Sequence, residues 1–284
     1  MKYIFVNLKR FDVPPEYGGV NRLATPDKWA SEVILGVSAG LEKYPVEQAS
    51  FTFFFPEAHI PQAAAAKSGQ PLAIGCQGVH WDDLAPGGNF GAFTSSRPAA
   101  AMAAIGCSAV IIGHCEERRA LAAVLAEGGI SGDAATTAVN RLLGKEIAAA
   151  RARDLSVLYC IGEKAEEQEC WQEVLAAQID AGLSASPDGK LIFAYEPVWA
   201  IGPGKTPPDH DYIQKAARFI KDKTALPVVY GGGLKADNAA MLASIPEIDG
   251  GLIALTRFSG EIGFYPDEFL KIVDTYLEFT IEKA

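Results

Sequence analysis

The sequence lacks the features that mark membrane-spanning, secreted or nucleic-acid-binding proteins. No segment reaches the ~18 continuous apolar residues of a transmembrane helix, so we expect none. The opening residues MKYIFVNLKRF contain no long apolar run or small-residue cleavage site, and we expect no signal peptide. Lys and Arg number 25 against 35 Asp and Glu, and the net charge of −10 argues against general affinity for nucleic acid or anionic membranes. A phosphate-bearing ligand would therefore need local cations or backbone N–H groups.

Cysteine is scarce and follows no pattern. The chain has five cysteines, an odd number, and none belongs to a CxxC pair: Cys76, Cys107, Cys115, Cys160 and Cys170. This spacing indicates neither a zinc site nor a disulfide framework. We therefore expect reduced thiols in a cytoplasmic protein.

Short apolar runs recur along the chain and are typical of β-strands. Each run is continuously apolar rather than alternating, which indicates strands that are covered on both faces. There are eight, at residues 3–7, 50–55, 71–77, 108–113, 156–161, 191–196, 226–231 and 250–255.

Segments of helical composition lie between these runs, for example 115–127, 136–153, 166–183, 210–223 and 266–283. Eight strands that alternate with helices predict an α/β protein with one closed (β/α)8 barrel domain over residues 1–284. An open doubly wound sheet could use the same elements, but no GxGxxG follows the first strand to favour it.

Chemically useful side chains cluster where the predicted strands end. In such barrels the loops at the carboxyl ends of the strands carry the active site. The ends of the first, fourth and sixth strands supply an amide, a cation, an imidazole and two carboxylates: Asn7, Lys9, His114, Glu116 and Glu196. Such groups at one barrel mouth can hold an anion, polarise a carbonyl group and move a proton.

Glu196 has the most unusual sequence position of these residues. It ends the apolar run LIFAYE, and Pro197 after it favours an extended backbone. The next residues, VWAIGPGK (198–205), are too irregular for a helix and too apolar for an ordinary linker. A carboxylate beneath a glycine-hinged apolar loop suggests a base that works when a lid expels water.

Four segments, in this order, resemble motifs of the triosephosphate isomerase family. They read NLK at 7–9, IIGHCEERR at 111–119, AYEPVWAIGPGKT at 194–206 and YGGGLKADNA at 230–239, and GAFT at 91–94 also matches. The similarity covers nearly the whole chain, and the third motif alone is highly specific. It implies a TIM barrel that interconverts glyceraldehyde 3-phosphate and dihydroxyacetone phosphate. It also implies a homodimer with a small phosphorylated sugar substrate and no metal or organic cofactor.

The resemblance also implies a role for each residue at the strand ends. Glu196 would be the base that shuttles a proton between the two carbons beside the carbonyl group. His114 would be the electrophile, and the dipole of the predicted helix after it disfavours imidazolium. Lys9 would stabilise the enediolate, Asn7 would help to position that lysine, and Glu116 would lie behind Lys9 and His114.

The phosphate-binding end departs from the family pattern. The family binds phosphate through backbone N–H groups of a lid glycine, the serine of Y-G-G-S and a Gly-Gly pair after the last strand. Here the serine is replaced by Gly233 and the pair by Ala254 and Leu255, so a leucine side chain reduces the room. The candidate phosphate-binding residues are Gly202, Gly232, Gly233, Ala254 and Leu255, with Arg257 as a possible replacement cation.

The expected dimer contact departs as well. The family motif T-G-E is replaced here by Thr94-Ser95-Ser96, and Glu117 stands where the family has an arginine. The loop 78–97 is longer than usual and carries three large aromatic side chains, Trp81, Phe90 and Phe93. We expect a homodimer held by this loop.

Several alternatives remain open at this point. The same proton transfer could act on a longer phosphorylated ketose, such as a tetrulose phosphate. A non-catalytic barrel is a third possibility, but it has no physical need to keep Lys9, His114 and Glu196 together. Trp199 and Tyr230 can be interpreted as simple packing aromatics, and Cys115 as a structural residue where the family has serine.

Overall fold

Eight parallel strands close into a barrel in the computed structural model, which describes residues 1–67, 69, 71–186, 190–202 and 204–281. Each strand pairs with the next along the chain, and the eighth pairs with the first. This closure confirms the predicted barrel and excludes an open sheet. The strands are β1 Lys2–Asn7, β2 Ala49–Phe55, β3 Leu72–Cys76, β4 Ala109–Ile112, β5 Ser156–Ile161, β6 Leu191–Tyr195, β7 Val228–Tyr230 and β8 Gly250–Ile253.

Helices connect the strands and cover the outside of the barrel. Those described are α1 Pro26–Leu41, α2 Ile60–Ala66, α3 Ala99–Ala104, α4 Cys115–Glu127, α5 Gly132–Arg151, α6 Trp171–Ala185, α7 His210–Lys223, α8 Ala239–Ala243 and α9 Pro266–Ile281. None of them is long and apolar enough to cross a membrane.

Two of the predicted helices have the expected bounds, and others differ at their ends. The predictions for α4 and α7 agree residue for residue with the structure. Helix α6 begins five residues later than predicted, because a 3₁₀ turn, Ala165–Cys170, precedes it. The last two residues of the predicted segment 266–283 lie outside the described residues.

The core has two layers, which explains why the strand sequences do not alternate. One set of side chains fills the barrel interior, including Phe5, Phe54, Leu158 and Leu252. The larger set packs between the strands and the surrounding helices. Because both faces of each strand are covered, successive residues are apolar. All five cysteines are free thiols, in agreement with the prediction of reduced thiols.

Two carboxyl groups meet between α4 and α5. Glu146 is 4% exposed, and burial together with the charge of Glu117 raises its pKa to about 9. The protonated Glu146 donates a hydrogen bond to Glu117, which also accepts the backbone N–H of Gly113 at 2.5 Å. Arg97 approaches Glu117 beside Gly78 and opposes the rise in the pKa of Glu117 that burial causes. Glu117, an altered family position, therefore lies near a cation of the same chain, Arg97.

The buried carboxyl pair predicts a pH dependence of stability that Glu146→Gln should remove. The pKa of Glu146 is higher in the folded protein than the ordinary ~4.3 of an unfolded chain. Between these values the unfolded carboxyl ionises while the folded one stays protonated, so its contribution to stability falls as pH rises. We expect the melting temperature of Glu146→Gln, relative to wild type, to rise by about 2 °C or more from pH 5 to pH 8. A difference that stays constant over this range would show that Glu146 does not titrate as described.

Candidate active site

The closed barrel brings the ends of β1, β4 and β6 to one rim. Asn7 is the last residue of β1, His114 lies two residues beyond β4, and Glu196 directly follows β6. All parallel strands point the same way, so their carboxyl ends face a common mouth. The structure therefore brings together the residues that the sequence predicted as catalytic. The side chains of Lys9, Glu116, His114 and Glu196 contact one another in that order, and the Asn7 side chain contacts the backbone of Lys9.

His114 is held by the helix that it precedes. It is the N-cap of α4, and its Nδ1 accepts the backbone N–H of Glu116 at 3.2 Å. A ring nitrogen that accepts a hydrogen bond carries no proton, so this contact assigns a neutral imidazole with its proton on Nε2. Nε2 lies 3.4 Å from Oε1 of Glu196. His114 can thus offer an N–H donor at the mouth without being charged.

Glu196 is a buried carboxylate with one oxygen held and one oxygen free. The residue is 2% exposed, and its Oε2 accepts the backbone N–H of Cys115 at 3.0 Å. Its Oε1 forms no hydrogen bond within the described part of the chain. Burial raises the pKa of Glu196, while His114, the Cys115 N–H and Lys9 oppose this rise. A carboxyl group in this state accepts a proton more readily than a solvated glutamate.

Lys9 is fixed in a strained backbone conformation. Its φ of +40° lies in the left-handed region that most side chains avoid. Two contacts hold it there: its N–H donates to Oδ1 of Asn7 at 3.1 Å, and its carbonyl accepts Nε2 of Gln77 at 3.0 Å. The ammonium group pairs with Oε1 of Glu116 at 2.6 Å. Asn7 and Glu116 thus position the lysine.

Gln77 and Glu163 belong to the site, although sequence reasoning missed both. Gln77 follows β3 and also donates to the carbonyl of Phe54, so it ties the ends of β1 and β2 together. Glu163 lies two residues beyond β5 and is 0% exposed. Both occupy strand ends, the same position that identified the other candidates. Reading all eight strand ends would have found them.

Glu163 anchors the start of the predicted lid. It accepts Nε1 of Trp199 at 2.7 Å, the hydroxyl of Tyr195 at 3.0 Å and the hydroxyl of Tyr212 at 3.1 Å. Burial and the Glu163 charge raise the pKa of Tyr212 to about 12, so its hydroxyl stays a donor. Trp199 is therefore not a simple packing aromatic, because its indole N–H connects the loop to the buried acid.

The lid continues through two glycines with left-handed backbones. Gly202 has a φ of +121° and Gly204 a φ of +74°, and a Cβ added to either would meet nothing within 4 Å. Glycine is needed here for conformation and not for space. Pro203, part of the predicted lid, lies outside the described residues.

Unpaired backbone donors line the predicted phosphate end. The N–H groups of the five predicted phosphate-binding residues form no hydrogen bond within the described part of the chain: those of Gly202, Gly232, Gly233, Ala254 and Leu255. The last four follow the neighbouring strands β7 and β8, and the Leu234 N–H ties the loop after β7 to β8 by donating to the carbonyl of Leu252 at 2.9 Å. Clustered free N–H groups are a common binding site for anions.

Arg257 is not free to act as the predicted replacement cation. Its Nε and Nη2 both donate to Oε1 of Glu268, at 2.8 and 2.6 Å. Its guanidinium also lies 3.8 Å from the ring centroid of Tyr265. The positive charge is already paired, which disfavours direct phosphate binding in this arrangement. Sequence alone shows the arginine but not its partner.

One group of possible metal ligands in the described part of the chain includes two of the predicted catalytic residues. His114, Cys115 and Glu196 each place one ligand atom within 4.8 Å of the others. Hydrogen bonds already account for this grouping, since both the imidazole and the carboxylate accept N–H groups of α4. Burial raises the pKa of the Cys115 thiol to about 12, so it stays protonated at neutral pH.

The contacts of Glu163 predict that Glu163→Gln loosens the lid. The amide adds an N–H₂ donor among three donors, so at least one of them loses its partner. We expect tryptic cleavage after Lys205, in the lid, to become several times faster. Glu166→Gln removes the same charge from an exposed position in the same segment and serves as the control. Equal cleavage rates in the two variants would refute the anchoring role.

Comparison with known proteins identifies the family of this chain. The sequence model of the family described as Triosephosphate isomerase matches residues 30–275. The triosephosphate isomerase of Thiobacillus denitrificans is 35% identical over 231 residues, which cover 76% of this chain and 82% of the relative. That of Roseiflexus castenholzii is 33% identical over 219 residues, covering 72% and 76%.

A solved structure shows the same architecture. The crystal structure of triosephosphate isomerase from Bartonella henselae aligns with a TM-score of 0.69 and 25% identity. The alignment covers 97% of this chain and 98% of that one. Sequence and fold together show that the chain belongs to the triosephosphate isomerase family, as an isomerase built on the TIM barrel.

Proposed function

We propose that the protein interconverts glyceraldehyde 3-phosphate and dihydroxyacetone phosphate by proton transfer through an enediolate. One observation carries the proposal. A buried carboxylate, Glu196, has a free oxygen at 3.4 Å from the Nε2 of a neutral imidazole, His114. A base and a neutral donor in this arrangement suit proton abstraction next to a carbonyl group.

In the proposed reaction the substrate's phosphate binds the backbone N–H groups after β7 and β8. Its carbonyl oxygen then faces Nε2 of His114 and the ammonium group of Lys9. Glu196 takes a proton from the carbon beside the carbonyl, and the electron pair of that C–H bond moves toward the carbonyl oxygen. The N–H of His114 and the charge of Lys9 stabilise the resulting enediolate. The former carbonyl oxygen takes the proton of His114 Nε2, and the imidazole takes a proton back from the hydroxyl oxygen on the adjacent carbon, which becomes the new carbonyl oxygen. Glu196 returns its proton to the neighbouring carbon, and these transfers complete the isomerisation.

The lid supports this chemistry by excluding water. An enediolate that bears a neighbouring phosphate is prone to side reactions in water, and closed sites suppress them. Glu163 holds the first turn of the lid through Trp199, so the loop has a fixed hinge beside the base. The two left-handed glycines allow the rest of the loop to change conformation.

The triose is favoured over a longer phosphorylated ketose by the family's relatives, which are named triosephosphate isomerases. This sequence departs from the family pattern at the phosphate end. There the loop after β8 forms a small hairpin through the pairing of Arg257 with Gly263. This hairpin changes the wall of the mouth but leaves the N–H groups of Gly232 and Gly233 free. A tetrulose phosphate therefore remains the competing substrate in the test below.

We also infer that the protein is a homodimer, and Phe90 provides the test. Trp81 and Phe93 pack on His80 within the chain, so they are less available than the sequence suggested. Phe90 is 91% exposed at the tip of the loop 78–97, where an apolar ring favours a contact with a partner. We expect light scattering to give a dimer for wild type at micromolar concentration and a larger monomer fraction for Phe90→Asp. A monomeric wild-type protein would refute this inference.

The proposed activity is tested by turnover of triose and tetrulose phosphates, with Glu196→Gln as the matched variant. We expect the wild type to prefer glyceraldehyde 3-phosphate. Positioned proton transfer contributes ~10²–10⁴ to a rate, so we expect the variant to lose at least a hundredfold in kcat. Its circular dichroism and melting temperature serve to show that it is folded. Strong turnover of a tetrulose phosphate with weak triose turnover would contradict the proposed substrate, and near-normal turnover by the folded variant would contradict the base.

A further inference from the structure

Lys235 lies beside the unpaired backbone donors at the phosphate end. It follows β7 by five residues and Gly233 by two. Its Cε is 3.4 Å from the point where a Cβ on Gly233 would lie. The side chain therefore passes beside Gly233, the glycine whose N–H is free.

The ammonium group of Lys235 has no carboxylate partner. In the described residues it forms no hydrogen bond or ion pair, and its contact is with the ring of Phe258, whose centroid is 4.5 Å away. Lys9 and Arg257 differ in this respect, because Lys9 pairs with Glu116 and Arg257 pairs with Glu268. Of the cations in the described loops 231–238 and 254–265, Lys235 is thus the one whose charge is not paired.

The hairpin after β8 places the aromatic ring that contacts Lys235. Backbone hydrogen bonds between Arg257 and Gly263 form the hairpin, and the ion pair of Arg257 with Glu268 ties it to α9. Phe258, next to Arg257, is half exposed and faces the ammonium group of Lys235. A cation–π contact attracts the ammonium without cancelling its charge as a carboxylate would. The hairpin after β8 therefore positions Lys235 and leaves its charge available to a ligand.

We propose that Lys235 binds the phosphate group of the substrate together with the backbone N–H groups of Gly232 and Gly233. This inference rests on the proposed function, in that it names a further ligand for the phosphorylated end of the substrate. A protein with a net charge of −10 repels a dianion, and neutral N–H groups supply only partial charges. An unpaired ammonium group at the same place supplies a full positive charge, and charge-assisted hydrogen bonds are the stronger ones. Its flexible stem allows it to leave Phe258 and reach a phosphate oxygen.

Kinetics of Lys235→Met test the proposal against a purely structural role. We expect kcat/KM for glyceraldehyde 3-phosphate to fall about ten- to a hundredfold, mostly through KM, because a hydrogen bond to a charged group is lost. Unphosphorylated glyceraldehyde should be turned over at the wild-type rate, and Lys235→Arg should restore most of the loss. Lys145→Met removes the same charge from an exposed position on α5 and should match wild type. An equal loss on both substrates would overturn the proposal.

Binding of inorganic phosphate separates this inference from the proposed function. We expect calorimetric titration to show at least tenfold weaker phosphate binding by Lys235→Met than by wild type or Lys145→Met. Added salt should weaken wild-type binding more than binding by Lys235→Met. If triose turnover is absent but phosphate binding still depends on Lys235, the anion site stands and the proposed substrate fails. Equal phosphate affinity in all three proteins would overturn the role of Lys235.

Discussion

Two consecutive backbone N–H groups at the start of α4 hold both the carboxylate that we propose as the base and the imidazole that we propose as the electrophile. The N–H of Cys115 binds Oε2 of Glu196, and the N–H of Glu116 binds Nδ1 of His114. The first N–H groups of a helix have no partner within the helix, so they are available for this use. One helix start thus orients a carboxylate from β6 and sets the tautomer of an imidazole after β4. If α4 shifted, both groups would lose their orientation together.

The rest of the rim compensates the charges that this arrangement concentrates. Burial raises the pKa of Glu196, and the nearby His114 and Lys9 oppose this rise. The charge of Lys9 is in turn paired with Glu116. Farther along the rim, Glu163 is buried among three donors and anchors the lid. At the phosphate end the donors are unpaired and Lys235 has no acid beside it. On the side of the proposed catalytic residues the charges are paired, and at the predicted phosphate end the donors are unpaired. This arrangement suits a substrate that brings its own negative charge.

The sequence predicted the parts of this structure that depend on local pattern. Eight continuously apolar runs gave the strands, because a strand covered on both faces has no polar positions. The residues at the ends of the first, fourth and sixth strands could be predicted from their position. Gln77 and Glu163 follow the third and fifth strands, whose ends were not considered. Charge pairing could not be predicted, because the partner of an ionic group is set by tertiary packing. Arg257 was predicted as a candidate replacement cation but pairs with Glu268, whereas Lys235 was not among the predicted residues and has no ionic partner in the described residues.

Hydrogen exchange during turnover tests the central claim, which is that Glu196 carries a proton between two carbons. Dihydroxyacetone phosphate would be incubated with the protein in D₂O and followed by proton NMR. A proton held by a carboxyl group exchanges with solvent, so the account predicts deuterium on the carbon beside the carbonyl group in product and in recovered substrate. Glu196→Gln should abolish this incorporation. Turnover with no deuterium in either compound would indicate direct hydride transfer and would contradict the account.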